Sequence, residues 1–392
     1  MRIGLITLTD TNTVLDLASV LSEIGQTVTI YFSKKSSVRF DNAPGNFIEN
    51  LYIEEIIPHS CNVKLYDFPR MSDLSSVSVV RQICRDMYND RLDVVHILMG
   101  PAEPWLAVLA KFLSEIPVVS TIIVPSPNVG DPLRVWVEPI NRLQISGSDL
   151  VVVNGANQVD SLQKQYKIPP DQIVHIPLGP RITAVKWLRE DTVEQPGTIL
   201  FFGRADSHKG LEYLIRAQPL ITQQVPSAKI LIVAHGDELI RCRALIQDES
   251  VFEIHEGVVS NEAMARFFAR ASLVALPYLS ASTSGVLLTA YGFGKPVVAT
   301  SVGSLPEYVD DGLTGLLVPP SRVEPFANAL IRLLLDDDLR CQMGSNARRW
   351  VEEEKVKNAF QTINAYEKAI SIYQERQKGK RANQDTAGTM SL

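Results

Sequence analysis

Nowhere do about 18 apolar residues follow one another without a charge, so the sequence offers no candidate membrane-spanning helix. Cysteine is scarce: Cys61, Cys84, Cys242 and Cys341 lie far apart and share no paired spacing. That pattern suggests neither a zinc site nor a disulfide framework and reads as reduced thiols in a cytosolic protein. Histidine is scarce too, with six in 392 residues, and no histidine–carboxylate cluster has ligand spacing, so no metal is expected. Basic charge is in deficit. With 38 Lys and Arg against 44 Asp and Glu the formal net charge is −6, which argues against a protein that coats nucleic acid through a basic face. The start, MRIGLITLTD, passes from one basic residue into a strand pattern and lacks the long apolar core and small-residue cleavage site of a signal peptide. The expected location is cytoplasmic, with a peripheral contact at the inner membrane face as an option.

What the sequence does have is apolar mass in short repeated blocks. Hydrophobic residues make up 45% of the chain and charged residues 21%, too long a chain for one ordinary core and too apolar a one for disorder, so two globular domains are expected. Runs rich in β-branched residues (IGLITL, TVTIYF, DVVHIL, VVSTIIV, DLVVVN, IVHIPL) alternate with helical patterns such as 14–24. Continuous apolar runs mark strands buried on both faces, hence α/β structure with parallel sheets. The series restarts at 198: TILFFG, AKILIVA, VFEIHEG, LVALPYL, PVVAT and GLLVPP, separated by helical stretches at 210–224, 237–247, 261–270 and 285–293. Two doubly wound, Rossmann-like domains facing across a cleft are therefore expected, with the cleft at the carboxyl ends of both sheets. The first covers 1–180, a linker 181–197 breaks the periodicity with proline, glycine and charge, and the second covers 198–355. A helix over 356–376 is expected to cross back to the first domain. The tail, 377–392, has too little apolar surface to fold.

The most informative stretch is TILFFGRADSHKG, residues 198–210. A buried-strand pattern runs into a loop that holds Arg204 and Lys209 just ahead of an amphipathic helix. Two cations five residues apart can embrace a diphosphate, because guanidinium and ammonium supply charge and the helix N-terminus adds amide donors. Further on, Ser282, Thr283 and Ser284 stand where a helix should be capped, and Gly294 sits at its end. The amides of Ser284, Gly285 and Val286 are placed to face phosphate oxygens, with Gly285 permitting close approach. An ordinary capped helix and a solvated basic loop are the bland readings of these two segments.

Together, the restart, the Gly203-Arg204 and Lys209-Gly210 pairs, and PYLSASTSGVLLTAYGFGKPVVATSVGSLPEYVDDGLTGLLVPP resemble the retaining nucleotide-sugar glycosyltransferases of family four, glycosyl transferases group 1, which have the GT-B fold. The resemblance covers nearly all of the second domain and the first more loosely. It implies that the first domain binds the acceptor and the second the nucleoside diphosphate sugar, with Gly203, Arg204 and Lys209 at the donor diphosphate. Arg204 and Lys209 would act in place of a metal, and the nucleotide sugar is a substrate, so no cofactor is implied. It further places Gly236 in a turn close to the nucleotide, Val258 and Val259 beside the base, and Glu307 where the family often has a glutamate. A first-turn glutamate that simply favours a helix N-terminus is the equal alternative for Glu307.

The chain departs from the family at several positions. Family members usually carry a carboxylate near 280 or 281 and often another near 289, contacting the sugar and the ribose; here stand Ser280, Ala281 and Thr289. A hydrogen bond to a charged group is worth about 1.5–3 kcal/mol against about 1 for a neutral one, so donor binding should be weakened rather than abolished. The family's threonine, apolar residue, histidine sequence ends here in Ile123, and the opening loop TLTDTNTV lacks paired glycines, leaving Asp10, Asn12 and Thr13 as polar candidates. Among the histidines, His208 lies in the clamp loop and reads as solvated, and His96 reads as a hydrogen-bonded core residue rather than a cleft one.

The resulting expectation is a retaining hexosyltransferase acting on an unidentified glycan, lipid or small-molecule acceptor. A non-catalytic relative that binds a nucleotide or glycan and partners an active enzyme is the alternative from another class. An epimerase or phosphorylase is less well supported, for want of cleft carboxylates or a cofactor lysine context. Lys34, Lys35 and Arg39 with Phe32 and Phe40 are a candidate basic–aromatic membrane patch, set against a solvated loop.

Overall fold

The computed structural model describes residues 1–8, 11–34, 47–53, 55–68, 73–99, 103–122, 134–188 and 192–389. The chain divides into two compact units, Met1–Pro177 with Lys357–Leu392, and Leu178–Val356. No helix among the described residues is long and apolar enough to cross a membrane.

The first unit is built on seven strands, β1 (Arg2–Thr7), β2 (Thr27–Ser33), β3 (Asn62–Tyr66), β4 (Val94–Met99), β5 (Val118–Ile122), β6 (Leu150–Val153) and β7 (Ile173–His175). All neighbours pair in parallel, in the order β3-β2-β1-β4-β5-β6-β7. β5 and β6 are buried at every position, as continuous apolar strands between helical layers must be. The helix Thr11–Glu23 lays Val14, Leu15, Ala18 and Leu21 into that core, a three-to-four spacing that forms one face. At the other end of the chain, Tyr366 and Ala369 are fully buried in the same unit. His96 on β4 shares hydrogen bonds with the Tyr366 hydroxyl at 2.8 Å and with Thr121 at 2.7 Å. The Asn358 amide donates to the Pro177 carbonyl at 2.6 Å, and Arg376 pairs with the buried Asp149 carboxylate at 2.9 Å.

The second unit carries six parallel strands, β8 (Thr198–Arg204), β9 (Lys229–His235), β10 (Phe252–Glu256), β11 (Leu273–Leu276), β12 (Val297–Thr300) and β13 (Gly315–Val318). Their order is β10-β9-β8-β11-β12-β13. Ile199, Phe201, Ile230, Ile232, Leu273 and Val298 from the sheet meet Leu214, Phe326 and Leu330 from the helices Leu211–Gln224 and Val323–Leu335 in one core.

Three expectations from the sequence are corrected. The segment 181–197 is not a bare linker: Arg181, Thr183, Ala184 and Trp187 are buried, and the short helix Thr183–Lys186 belongs to the second unit. Its Val185 methyl and the Arg181 carbonyl crowd Gly292, on which a β-carbon would lie 3.0 Å from that carbonyl oxygen. The helix expected over 356–376 is part of a longer one, Asp337–Thr389, which begins in the second unit and from Lys357 onward belongs to the first. No proline interrupts it, and Gly344 serves close approach to the Gly294 backbone rather than as a break. The tail from 377 is likewise helical as far as Thr389. Its composition is too polar to build a core, but extending an existing helix needs no new nucleus, and Lys, Arg, Gln and Ala propagate well.

Candidate functional site

In the second sheet the strand order reverses between β8 and β11, the switch point at whose carboxyl edge doubly wound sheets hold their ligands. The clamp loop follows β8 and the segment 277–284 follows β11. Arg204, Lys209 and the start of the helix Gly285–Gly292 thus follow the two strands at the switch point.

The clamp loop is locked by its backbone. Gly203 adopts φ +111°, and a β-carbon built on it would lie 3.7 Å from the Val286 methyl, so strand β8 ends against the helix Gly285–Gly292. Residues Ser207–Lys209 make one tight turn that Gly210 closes in the left-handed region at φ +65°. A β-carbon on Gly210 would fall 2.0 Å from the Pro277 carbonyl oxygen, so only glycine fits. The Leu279 N–H donates to the His208 carbonyl at 2.7 Å, which ties the loop to the strand exit beside it.

On this frame the two cations differ. Arg204 stands 65% exposed, its Nε donating to Asp206 at 2.6 Å. Lys209 lies with its ammonium 3.8 Å from the centroid of the Tyr278 ring. The Tyr278 hydroxyl is in turn 3.3 Å from Ser284 Oγ, and Ser284 accepts the Leu287 N–H at 3.3 Å as the N-cap of the helix Gly285–Gly292. Gly285 faces a further cation: its built β-carbon would be 3.3 Å from an Arg181 guanidinium nitrogen, and Arg181 is only 8% exposed. His208 is held below the usual histidine range, first by burial and then by Lys209, with Asp206 opposing. It is neutral at neutral pH, and the turn's charge resides on Arg204, Lys209 and Asp206.

Of the remaining predicted residues, Gly236 approaches the clamp loop through Ala205. A β-carbon on Gly236 would come 3.0 Å from the Ala205 carbonyl, so this glycine flanks the clamp loop. Val258 is exposed after β10, and Glu307 is exposed in the first turn of the short helix Leu305–Tyr308. Ser280 is exposed, whereas Thr289 is buried and donates its hydroxyl to the Gly285 carbonyl at 2.8 Å. At 281, one of the two positions where the resemblance implies a carboxylate, the Ala281 carbonyl lies against Gly303, on which a β-carbon would approach within 1.6 Å.

In the first unit His96 is a core residue, its pKa pushed down to about 3 by burial. Phe32 is buried in β2 and cannot belong to a membrane patch, because its side chain is spent on the core. Lys34 is exposed, while Lys35, Arg39, Phe40, Asp10 and Ile123 lie outside the described residues. Asn12 and Thr13 fall in the first turn of the helix Thr11–Glu23. Among the described residues no three His, Cys, Asp or Glu side chains gather as a metal would require.

Sequence reasoning missed Arg181 and Tyr278. Arg181 lies in IPLGPRITAV, where a lone cation among apolar residues is the signal that its segment is packed rather than free. Tyr278 was read as the end of an apolar strand run, yet a buried tyrosine needs a partner for its hydroxyl, which here is Ser284.

Comparison with known proteins assigns both halves of the chain. Residues 196–336 match the family model described as glycosyl transferases group 1, and residues 11–180 match that of glycosyltransferase family 4. A D-inositol 3-phosphate glycosyltransferase of Pseudarthrobacter chlorophenolicus is 26% identical over 380 residues, 91% of this chain and 89% of that one. Of two further proteins so named, from Corynebacterium species, the chain spans 53% and 59%. The fold is similar to that of a sucrose-phosphate synthase from Thermosynechococcus elongatus, with a TM-score of 0.67 at 20% identity over 95% of this chain and 99% of that one. It is also similar to that of Anabaena HepE in complex with UDP, with a TM-score of 0.62 at 15% identity over 97% and 100%. With family matches in both halves and two parallel Rossmann-like sheets, the chain belongs to the family 4, group 1 glycosyltransferases and has their GT-B fold.

Proposed function

We propose that the second unit binds a nucleoside diphosphate sugar at the switch point between β8 and β11, and that the enzyme transfers the glycosyl group with retention to a small polyol acceptor held by the first unit. The observation that carries this reading is the convergence of Arg204, Lys209 and the capped start of the helix Gly285–Gly292 at the topological switch point. The HepE structure with UDP supports uridine diphosphate as the first donor nucleotide to try. The relatives named D-inositol 3-phosphate glycosyltransferases support a phosphorylated cyclitol as the first acceptor.

In the proposed reaction the bond from the anomeric carbon to the β-phosphate oxygen breaks as the acceptor oxygen bonds to that carbon on the same face. The acceptor proton passes to the departing phosphate, and the nucleoside diphosphate leaves. Arg204 and Lys209 act on the charge that grows on this phosphate. Removing one preorganised donor of that kind typically costs about 10²–10³ in rate. Because the leaving group takes the proton, neither a histidine at 123 nor a carboxylate at 280 or 281 is needed for this step.

Calorimetric titration of UDP, GDP and ADP, alone and as sugar conjugates, tests the reading on the intact protein and on an Arg204→Ala, Lys209→Ala double variant. Selective binding that the folded double variant loses is the expected result. A folded intact protein that binds none of the panel refutes the donor assignment and favours a non-catalytic partner of an active transferase.

A further inference from the structure

Lys209 and the start of the helix Gly285–Gly292 follow two different strand exits, and one side chain touches both. Tyr278 is 1% exposed. Its carbonyl accepts the Thr300 hydroxyl, which fixes the backbone; its ring face carries the Lys209 ammonium at 3.8 Å; its hydroxyl meets Ser284 at 3.3 Å. Among the described residues no carboxylate pairs with Lys209, in contrast to Arg204, which Asp206 holds.

A ring and a carboxylate orient a cation differently. A carboxylate takes up ammonium N–H groups and cancels charge, so an incoming phosphate has to compete with it. The negative face of an aromatic ring attracts the ammonium from one side and leaves N–H donors and the full charge on the other. A lysine held this way reaches its phosphate partner with less rotamer freedom left to lose.

Resting on the donor site proposed above, we propose that Tyr278 is a positioning residue for diphosphate binding, its ring ordering Lys209 and its hydroxyl ordering Ser284 at the first turn of the helix Gly285–Gly292. The two contributions are separable. Tyr278→Phe keeps the ring and removes only the hydroxyl link; Tyr278→Leu removes both. Ring fluorination drains the negative face without changing the shape of the core, so phenylalanine carrying one, two or three fluorines at position 278 probes the contact with little risk to folding.

The experiment measures UDP and uridine affinity by calorimetry for the intact protein, Tyr278→Phe, Tyr278→Leu and the fluorinated series, each with Lys209 and with Lys209→Met. UDP affinity should fall stepwise with fluorination and by about 3- to 10-fold in Tyr278→Leu. Uridine affinity should not change, and in the Lys209→Met background the fluorine series should be flat. If Tyr278→Leu does not fold, the fluorinated series decides alone. A series that is flat with Lys209 present, or equally steep without it, overturns the role of Tyr278 while leaving the donor site intact. An intact protein that binds no UDP, GDP or ADP overturns both.

Discussion

Replacing Gly210 with alanine tests whether the clamp loop is held by its backbone. Gly210 occupies the left-handed region at φ +65°, where an alanine is strained by about 1–2 kcal/mol. Its new β-carbon would also lie 2.0 Å from the Pro277 carbonyl oxygen, an approach that must open by about 1 Å or more to reach ordinary contact. Neither partner is a flexible side chain, so the loop itself has to move, and overpacking of this kind adds about 1–3 kcal/mol. The total, about 2–5 kcal/mol, should lower the melting temperature of the second unit by about 5–15 °C. Because Lys209 is the neighbouring residue, UDP affinity should drop about 10-fold, the loss of most of one charge-assisted hydrogen bond. Gly312→Ala is the internal control. Gly312 also has positive φ, +81°, but open space lies where its β-carbon would be, so only the backbone strain remains. Its melting temperature should fall by about 3–6 °C with UDP affinity unchanged. Differential scanning calorimetry and UDP titration on both variants make the comparison. Equal effects of the two substitutions on UDP binding would refute the account of the loop as sterically locked to Pro277.

Ser284→Ala removes the N-cap acceptor of the Leu287 N–H and the hydroxyl partner of Tyr278; it should destabilise the second unit by about 1 kcal/mol in urea titration, with Ser284→Thr recovering most of this. Acid should weaken the first unit through His96. Its folded pKa is about 3 and its unfolded one about 6.5, so between these values the unfolded chain binds the extra proton. Stability from this residue is then complete above about pH 6.5 and is lost as pH falls, by up to about 1.4 kcal/mol per unit. Urea midpoints of the protein and of His96→Gln at pH 7.5 and 5 should converge, and parallel lines would exclude His96 as the source.

Much of this was legible in the chain because it depends on local alternation. The restart at 198 and the strand, loop and helix around Arg204 and Lys209 follow from period and charge alone, and the helix 261–270 falls at Asn261–Arg270. His96 was legible as a core histidine because it interrupts an otherwise apolar strand. What was not legible depends on contacts far along the sequence. The burial of Arg181 is created by its packing against Gly285 and Gly292, more than a hundred positions away. Tyr278 acquires its meaning only when Lys209 and Ser284 arrive from different sides. The helical continuation past 377 escaped a reading by composition, because composition reports whether a segment can build a core and not whether it can extend a helix already formed.

The burial of Tyr366 and Ala369 in the first unit has a consequence for the order of synthesis. Domains emerging from the ribosome ordinarily fold as they appear, the N-terminal one first. Here the first unit is closed by residues from Lys357 onward, among them the Tyr366 hydroxyl that completes the hydrogen bonds of His96. Until Leu178–Val356 has also been made, roughly ten to forty seconds at ordinary elongation rates, β1–β7 wait with that surface uncovered. The unit that begins first is thus the one that finishes last, whereas Leu178–Val356 is contiguous and leaves the ribosome with all its parts. A chain cut short before residue 357 would have every strand of the first sheet and still lack the segment that seals it.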